Sequence, residues 1–278
     1  MITGRPFAPR SLLFVPGSRP DMVAKVPRWR PDATVVDLED AVRPGEKDRA
    51  RRVGLAAASD LDPAATITLA RINSLGSRWF TDDLQAAANS RIQGLVLPKY
   101  ESADALASMR AQLPGTFLIV VGLETARGVA SSRELLVHGP DAVYFGAEDY
   151  IADVGGYRTG DGYEVLHARS EVILAARLAG ISAVDQAVVD ISHDPAFLAD
   201  AQAGKSIGYA GKICIHPRQV ELAHRVFTPS PEEVNHARRV VEAATAGGVA
   251  VVDGHMVDEV HVRMARQILA RSHPEDER

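Results

Sequence analysis

VVDLEDAV, residues 35–42, runs from apolar, largely β-branched residues straight into three acids, Asp37, Glu39 and Asp40. A near-continuous apolar run of this length, closed by polar residues, reads as a strand covered on both faces. The same signature recurs along the chain. LLFV (12–15), ATVVDL (33–38), TITLARI (66–72), GLVLP (94–98), TFLIVVGL (116–123), AVYFG (142–146), AVDQAVV (183–189) and KICI (212–215) are each followed by turn or charged residues. Between them lie alanine-rich stretches of helical length. In VLHARSEVILAARLAG, for example, Leu166, Arg169, Ile173 and Ala176 are expected along one face, and Gly180 supplies the stop.

Eight such strands alternating with helices predict parallel pairing, and eight is the number that closes a (β/α)8 TIM barrel. An open doubly wound sheet is the alternative, but PGSRPDM after the first strand lacks the glycine fingerprint of that fold. The barrel is assigned to residues 1–220. Residues 221–278 exceed what a last barrel helix needs and form a C-terminal helical and lid extension. Its clearest element starts at TPSPEEV, with Ser230 as N-cap, Pro231 at the first helical position, Glu233 as capping-box partner and Gly247 as the stop.

Composition narrows the function. A formal charge of -5 offers no basic excess for a nucleic-acid backbone. One cysteine, Cys214, excludes an intrachain disulfide and fits a reducing compartment. LLFV is too short for a signal-peptide core, and FLIVVGL falls far short of the roughly 20 residues that span a bilayer. A soluble, cytoplasmic protein is expected, with neither nucleic acid nor membrane as partner.

In a (β/α)8 barrel the residues just past the strand C-termini converge on one face, which holds the active site. Here they are Arg19, Glu39 and Asp40, Arg71 and Asn73, Lys99, Glu124 and Arg127, Glu148 and Asp149, Asp190 or His193, and His216. Any one acid after a strand is commonly a helix cap or a solvated loop residue. Carboxylates and guanidiniums gathered on one partly buried face, however, need partners or a cation. Glu124 and Asp149, on neighbouring strands and without cysteine or paired-histidine company, suit a hard, oxygen-seeking cation, which points to Mg²⁺. The structural alternative is that they only pair with Arg71 and Arg127. Alternation through Ile67, Leu69 and Arg71 aims the arginine into the barrel mouth, to neutralise acids or, the favoured reading, to receive a substrate carboxylate. Lys99 can pair with Glu124 or Glu39. Of Glu39 and Asp40, one orders Arg or Lys side chains and the other holds a metal-bound water or a helix N-terminus.

SLLFVPGSRPDM, VVDLEDAV with EK a few residues on, ARIN, LPK, LETARG, FGAEDY, GKICIHPRQV and GHMVD occur in one order over nearly the whole chain. In this the sequence resembles the citrate lyase β-subunit, or CitE-like, branch of the HpcH/HpaI aldolase superfamily. The resemblance implies a TIM barrel, trimeric or hexameric, with Mg²⁺ on Glu124 and Asp149. It further implies a 3-hydroxyacyl thioester substrate, such as a citryl, malyl or citramalyl group on coenzyme A or an acyl carrier protein. The segment GHMVDEV would fold as a lid over a neighbouring subunit's site and bring Asp258 as a catalytic aspartate. This chain departs from the family two residues later, where Val260 stands in place of proline.

On this reading the catalytic residues are Asp258, Arg71 and Glu39. Substrate contacts are expected at Arg71, Gly122, Ala147 and Glu148, and coenzyme A phosphate contacts at Arg19, Lys25 and Arg28. The expected reaction is Mg²⁺-dependent carbon–carbon cleavage to a 2-oxo acid and an acyl thioester, or its reverse. Two alternatives stay open: a class II aldolase of the HpaI type acting on free hydroxy-keto acids, and a β-subunit active only in a citrate lyase complex on a carrier-bound citryl group.

Overall fold

The computed structural model describes residues 7–244 and 249–272. Eight strands, β1 (Ser11–Pro16), β2 (Ala33–Asp37), β3 (Ile67–Arg71), β4 (Gly94–Leu97), β5 (Leu118–Leu123), β6 (Ala142–Phe145), β7 (Ser182–Asp185) and β8 (Gly211–Cys214), pair in sequence order. All pairs are parallel, and β8 closes onto β1 through the Leu12–Ile213 register. This is the (β/α)8 barrel expected from the pattern. The interior is filled by inward-facing Leu12, Ala33, Val35, Leu69, Val96, Val120, Ala142, Val184 and Ile213, all buried. Val35, Leu69 and Val120 are wholly inaccessible, as the branched side chains of a filled barrel core should be.

Strand β7 is shorter than the apolar run 183–189 suggests. Gln219 explains the early stop: its Nε2 donates to the Val188 carbonyl at 2.9 Å while its Oε1 accepts the Ile215 N–H at 2.8 Å. One buried amide thus takes the place of the next β7–β8 ladder bonds.

The outer helices hold a second correction. Helix Tyr163–Ala179 buries Val165, Ala168, Arg169, Val172, Ala175 and Ala176, whereas Leu166 is exposed, so the buried stripe lies one position off the expected face. Arg169 belongs to a closed group of charges between the barrel wall and the helices. Its Nε donates to Asp185 Oδ1 at 2.8 Å, and Lys212 Nζ donates to Asp185 Oδ2, also at 2.8 Å. Asp200, from helix Asp194–Ile207, accepts from both Arg169 and Lys212. Asp185 and Lys212 face each other in the β7–β8 register, and both are fully buried.

The chain divides into two compact units, Met1–His224 and Arg225–Arg278. In the second, helix Pro231–Ala244 opens with the expected capping box: Ser230 N–H donates to Glu233 Oε2 at 2.8 Å and Glu233 N–H to Ser230 Oγ at 3.1 Å. Gly247 lies outside the described residues. Strands β9 (Ala250–Val252) and β10 (His255–Val257) form an antiparallel hairpin around Asp253–Gly254, both with positive φ. Helix Glu259–Arg271 follows, and Ala237, Val240, Val252, Val257, Val262 and Ala265 make this unit's own small core.

Candidate active site at the barrel mouth

At the C-terminal end of the barrel the apolar filling gives way to charge. Asp37 and Arg71 end β2 and β3, and they lie opposite each other in the register. Arg71 donates from Nε to Asp37 Oδ1 at 2.8 Å and from Nη2 to Oδ2 at 2.5 Å, a two-pronged pair roofed by the Phe14 ring 5.1 Å from the guanidinium carbon. Asp37 also accepts the N–H groups of Glu39 and Ala41, which turns the chain sharply after the strand. The acid run of the opening stretch therefore divides its work. Asp37 caps its own loop and fixes Arg71, Glu39 is buried and draws Arg71 and Lys99 together, and Asp40 stays exposed, 3.8 Å from each of those cations.

In this geometry Arg71 faces acids of its own chain. Its fork is engaged by Asp37, and its remaining nitrogen, Nη1, stands 3.1 Å from Glu39 Oε2. Burial works against its charge, but Asp37 and Glu39 outweigh that and hold its pKa well above the ordinary value. It is a permanent cation on the cavity wall, with neutralisation of acids as its observed contact. Glu39 Oε2 has the charge of Arg71 close by yet accepts no hydrogen bond, since the Nη1 approach is off line. Burial therefore dominates and pushes the Glu39 carboxyl up to about 7, with Glu124 and Asp40 adding to the rise and Arg71 and Lys99 opposing it.

Lys99 follows β4 with φ of +50°, a left-handed conformation that strains a non-glycine residue by on the order of 1–3 kcal/mol. That backbone turn aims its N–H at Glu124 Oε1, at 2.8 Å, while its ammonium reaches Glu39 Oε1 at 2.7 Å and lies 3.7 Å from Asp149 Oδ1. Glu124, one residue past β5, is 1% exposed, and its other oxygen accepts the Tyr144 hydroxyl at 2.9 Å. Its carboxyl is raised, first by burial and further by Asp149. Asp149 sits in the first turn of helix Ala147–Val154, beyond β6. Glu124, Asp149, Arg71 and Asp37 all line one cavity of about 330 Å³. Its opposite wall is apolar and comes from Phe14, Val15, Ala187, Val189, Ile213 and Ile215.

This donor set fits a divalent cation. Two carboxyls that follow adjacent strands face one cavity, and burial and its neighbour both disfavour the ionised form of the buried one. Both Glu124 oxygens are anchored by single hydrogen bonds, which leaves each a further lone pair for a metal. Among the described residues no group of three or more His, Cys, Asp or Glu side chains is arranged to hold a metal. Mg²⁺ commonly takes one or two protein carboxylates and completes its shell with water and substrate oxygens.

The other expected residues fall in different places. Ala147 and Glu148 line the cavity, and Glu148 pairs with Arg158 at 3.1 Å. Gly122 does not line it: the Tyr144 ring fills the space beside its Cα, and its carbonyl accepts the Tyr100 N–H. Glu39 also stays behind the wall. Arg127 is exposed, 4.0 Å from Glu101, and His216 accepts the Arg218 N–H. Arg19, Lys25 and Arg28 are exposed after β1, with Arg19 bound to Asp21 at 2.8 Å and Lys25 3.9 Å from the same acid.

Asp258, in the second unit, is the N-cap of helix Glu259–Arg271. Its Oδ1 accepts the N–H groups of Val260 and His261 and lies 2.7 Å from His261 Nδ1. His261 and these backbone bonds lower its carboxyl, the reverse of the raised value expected for a proton donor in a dry site.

Two residues to which the sequence assigned no role also matter. Lys47 is buried, donates to the carbonyls of Leu38 and Glu39 and to Asn73 Oδ1, and so pins the acidic loop. Burial lowers its pKa. The position of EK just after VVDLEDAV was the available signal. Tyr144, inside an apolar strand, carried none.

Residues 10–217 match the HpcH/HpaI aldolase/citrate lyase family. The chain belongs to that family. It is 45% identical to a citrate lyase subunit beta-like protein of Deinococcus radiodurans, over 94% of this chain and 96% of that one. It is 33% identical to a (3S)-malyl-CoA thioesterase of Cereibacter sphaeroides, over 95% of this chain and 94% of that one. Among solved structures it resembles the CitE protein of Mycobacterium tuberculosis in complex with magnesium, acetoacetate and coenzyme A. There the TM-score is 0.84 at 32% identity, covering 96% of this chain and 98% of the other. No helix among the described residues is long and apolar enough to cross a membrane.

Proposed function

We propose that this member of the HpcH/HpaI family is a magnesium-dependent carbon–carbon lyase that cleaves a 3-hydroxyacyl thioester into a 2-oxo acid and an acyl thioester, or runs the reverse condensation. The observation that carries the reading is the convergence of Glu124 and Asp149 on a cavity with one charged and one apolar wall. The CitE relative with magnesium, acetoacetate and coenzyme A supports the choice of metal and of thioester.

When bound by Glu124 and Asp149, Mg²⁺ supplies Lewis acidity that eases proton loss from the substrate hydroxyl. Arg71, fixed by Asp37, keeps a positive charge on the wall where the carboxylate of the 2-oxo acid half lies. The Glu39–Lys99 pair, joined at 2.7 Å behind the wall, takes the hydroxyl proton by way of a water in the cavity, and a Glu39 carboxyl at about 7 is matched to that task near neutral pH. The electrons of the breaking bond pass to the α-carbon of the thioester, which Asp258 then protonates. For that, Asp258 must leave its cap and enter a drier place, as the lid of a neighbouring subunit in a homotrimer or hexamer would provide. The apolar wall receives the acyl half. Ala147 and Glu148 contact the substrate from the start of their helix, and Arg19, Lys25 and Arg28 meet coenzyme A phosphates.

The test is turnover of citryl-, malyl- and citramalyl-coenzyme A with and without chelator. Mg²⁺-dependent release of a 2-oxo acid supports the reading. Release of free coenzyme A without a 2-oxo acid would replace it by thioester hydrolysis, the activity for which the Cereibacter relative is named. Turnover only after addition of carrier and transferase subunits would make the chain a β-subunit, and turnover of free hydroxy-keto acids alone would make it an aldolase.

A further inference from the structure

Tyr144 is a large phenol in the barrel core, packed so closely on its neighbour strand that a side chain there would collide with it. It lies opposite Gly122 in the β5–β6 register, and a Cβ on Gly122 would stand 2.3 Å from both the ring carbon Cζ and the hydroxyl oxygen. The ring is 2% exposed and meets Phe14 edge-on, with centroids 6.2 Å apart, while Phe14 in turn lies under Arg71. Volume alone would be met by phenylalanine, whose ring carries no polar atom to desolvate. The hydroxyl is instead used, as donor to Glu124 Oε2 at 2.9 Å. A second glycine completes the fit: a Cβ on Gly146 would lie 2.4 Å from that same Oε2. With the Lys99 N–H on Oε1, the carboxylate is gripped at both oxygens from two sides.

We propose that Tyr144, admitted by Gly122, is the positioning residue that locks the Glu124 carboxylate in the orientation required to bind the divalent cation; this rests on the metal site proposed above. The hydroxyl acts through Glu124. Partners that orient a metal-ligating group by hydrogen bonds typically contribute 10- to 100-fold to metal affinity.

The test is Tyr144→Phe in the metal-free protein, titrated with Mn²⁺ and followed by electron paramagnetic resonance, with thermal melting in chelator alongside. The expected result is a Kd for Mn²⁺ weakened by about 10- to 100-fold. In a Glu124→Gln background the same substitution should leave Kd unchanged. A variant that melts lower yet binds Mn²⁺ as tightly as the parent overturns the proposal and leaves Tyr144 a packing residue. A parent protein that binds no divalent cation removes the metal site itself, which is a separate failure. Should Tyr144→Phe not fold, the unmodified protein labelled with ¹³C at tyrosine Cζ answers the question. Titration with Mg²⁺ should move the Tyr144 signal, told apart from those of buried Tyr100 and Tyr209 by Tyr100→Phe and Tyr209→Phe. An unmoved signal at saturating Mg²⁺ overturns the proposal.

Discussion

Two of the groups of buried charge in the barrel unit are built to opposite ends. Behind β7 and β8, Arg169 and Lys212 meet Asp185 and Asp200, two cations on two anions. None of these four lines the cavity at the mouth, and Tyr209 donates to the Arg169 carbonyl besides. At the mouth, Asp37, Glu39 and Asp149 pair with Arg71 and Lys99, while Glu124 takes hydrogen bonds from the Lys99 N–H and the Tyr144 hydroxyl. One Glu39 oxygen goes without a hydrogen bond, and two carboxyls are raised. A closed network satisfies its charges and serves the fold. An open one retains an excess of one sign, and that excess is what a cation or a proton can use.

The sharpest way to break this comparison is to remove the ion from the mouth. Chelation is expected to abolish turnover. Glu124→Gln should lower kcat/KM by at least about 10²-fold, since loss of a mere supporting partner already costs 10- to 100-fold. Thermal melting of that variant in chelator should not fall, because the substitution relieves a buried charge. Next in size is Lys212→Met. It leaves Asp185 and Asp200 facing Arg169 alone, and breaking a buried pair costs about 3–5 kcal/mol. The loss should appear in urea unfolding, while kcat of the folded fraction stays as in the parent.

Glu39→Gln tests the raised carboxyl. Its value rises from an ordinary 4.5 to about 7 as burial and the charges of Glu124 and Asp40 outweigh Arg71 and Lys99. The unfolded chain then gives up this proton near pH 4.5 while the folded chain holds it to about 7. Glu39 thus leaves stability unaffected below 4.5, lowers it progressively between 4.5 and 7, and keeps it lowered above 7. At about 1.4 kcal/mol per pH unit this amounts to roughly 3 kcal/mol, which Glu39→Gln should abolish from the pH dependence of unfolding measured in chelator. The smallest structural effect belongs to Asp258→Asn. Asparagine caps a helix as well as aspartate does, so the melting temperature should hold. If Asp258 delivers the proton, kcat falls even so, and an unchanged kcat would remove it from the mechanism.

The barrel was legible because burial on both faces writes each strand as a continuous apolar run, and this needs only local sequence. The mouth was legible in part, since strand ends name the residues that converge but not which of them pair. Arg71 was read toward a substrate because Asp37 ends a different strand, and only the β2–β3 register puts the two face to face. Asp185 and Lys212 went unread for the same reason, each a lone charge inside an apolar run. The β9–β10 hairpin went unread, although Asp253–Gly254 between short apolar runs is a strong turn signal. Gly122 was taken for a substrate contact, because a glycine's use as vacant space is visible only once its neighbour's ring is placed.

The Asp37–Arg71 rung also proofreads assembly. Side chains alternate between the two faces of a strand, so sliding β3 by one position would turn the guanidinium outward under the helices and leave Asp37 without its cation. Misaligned barrels are thereby penalised where they would be hardest to tell from correct ones, and a chain that closes with this rung intact has its catalytic face in register.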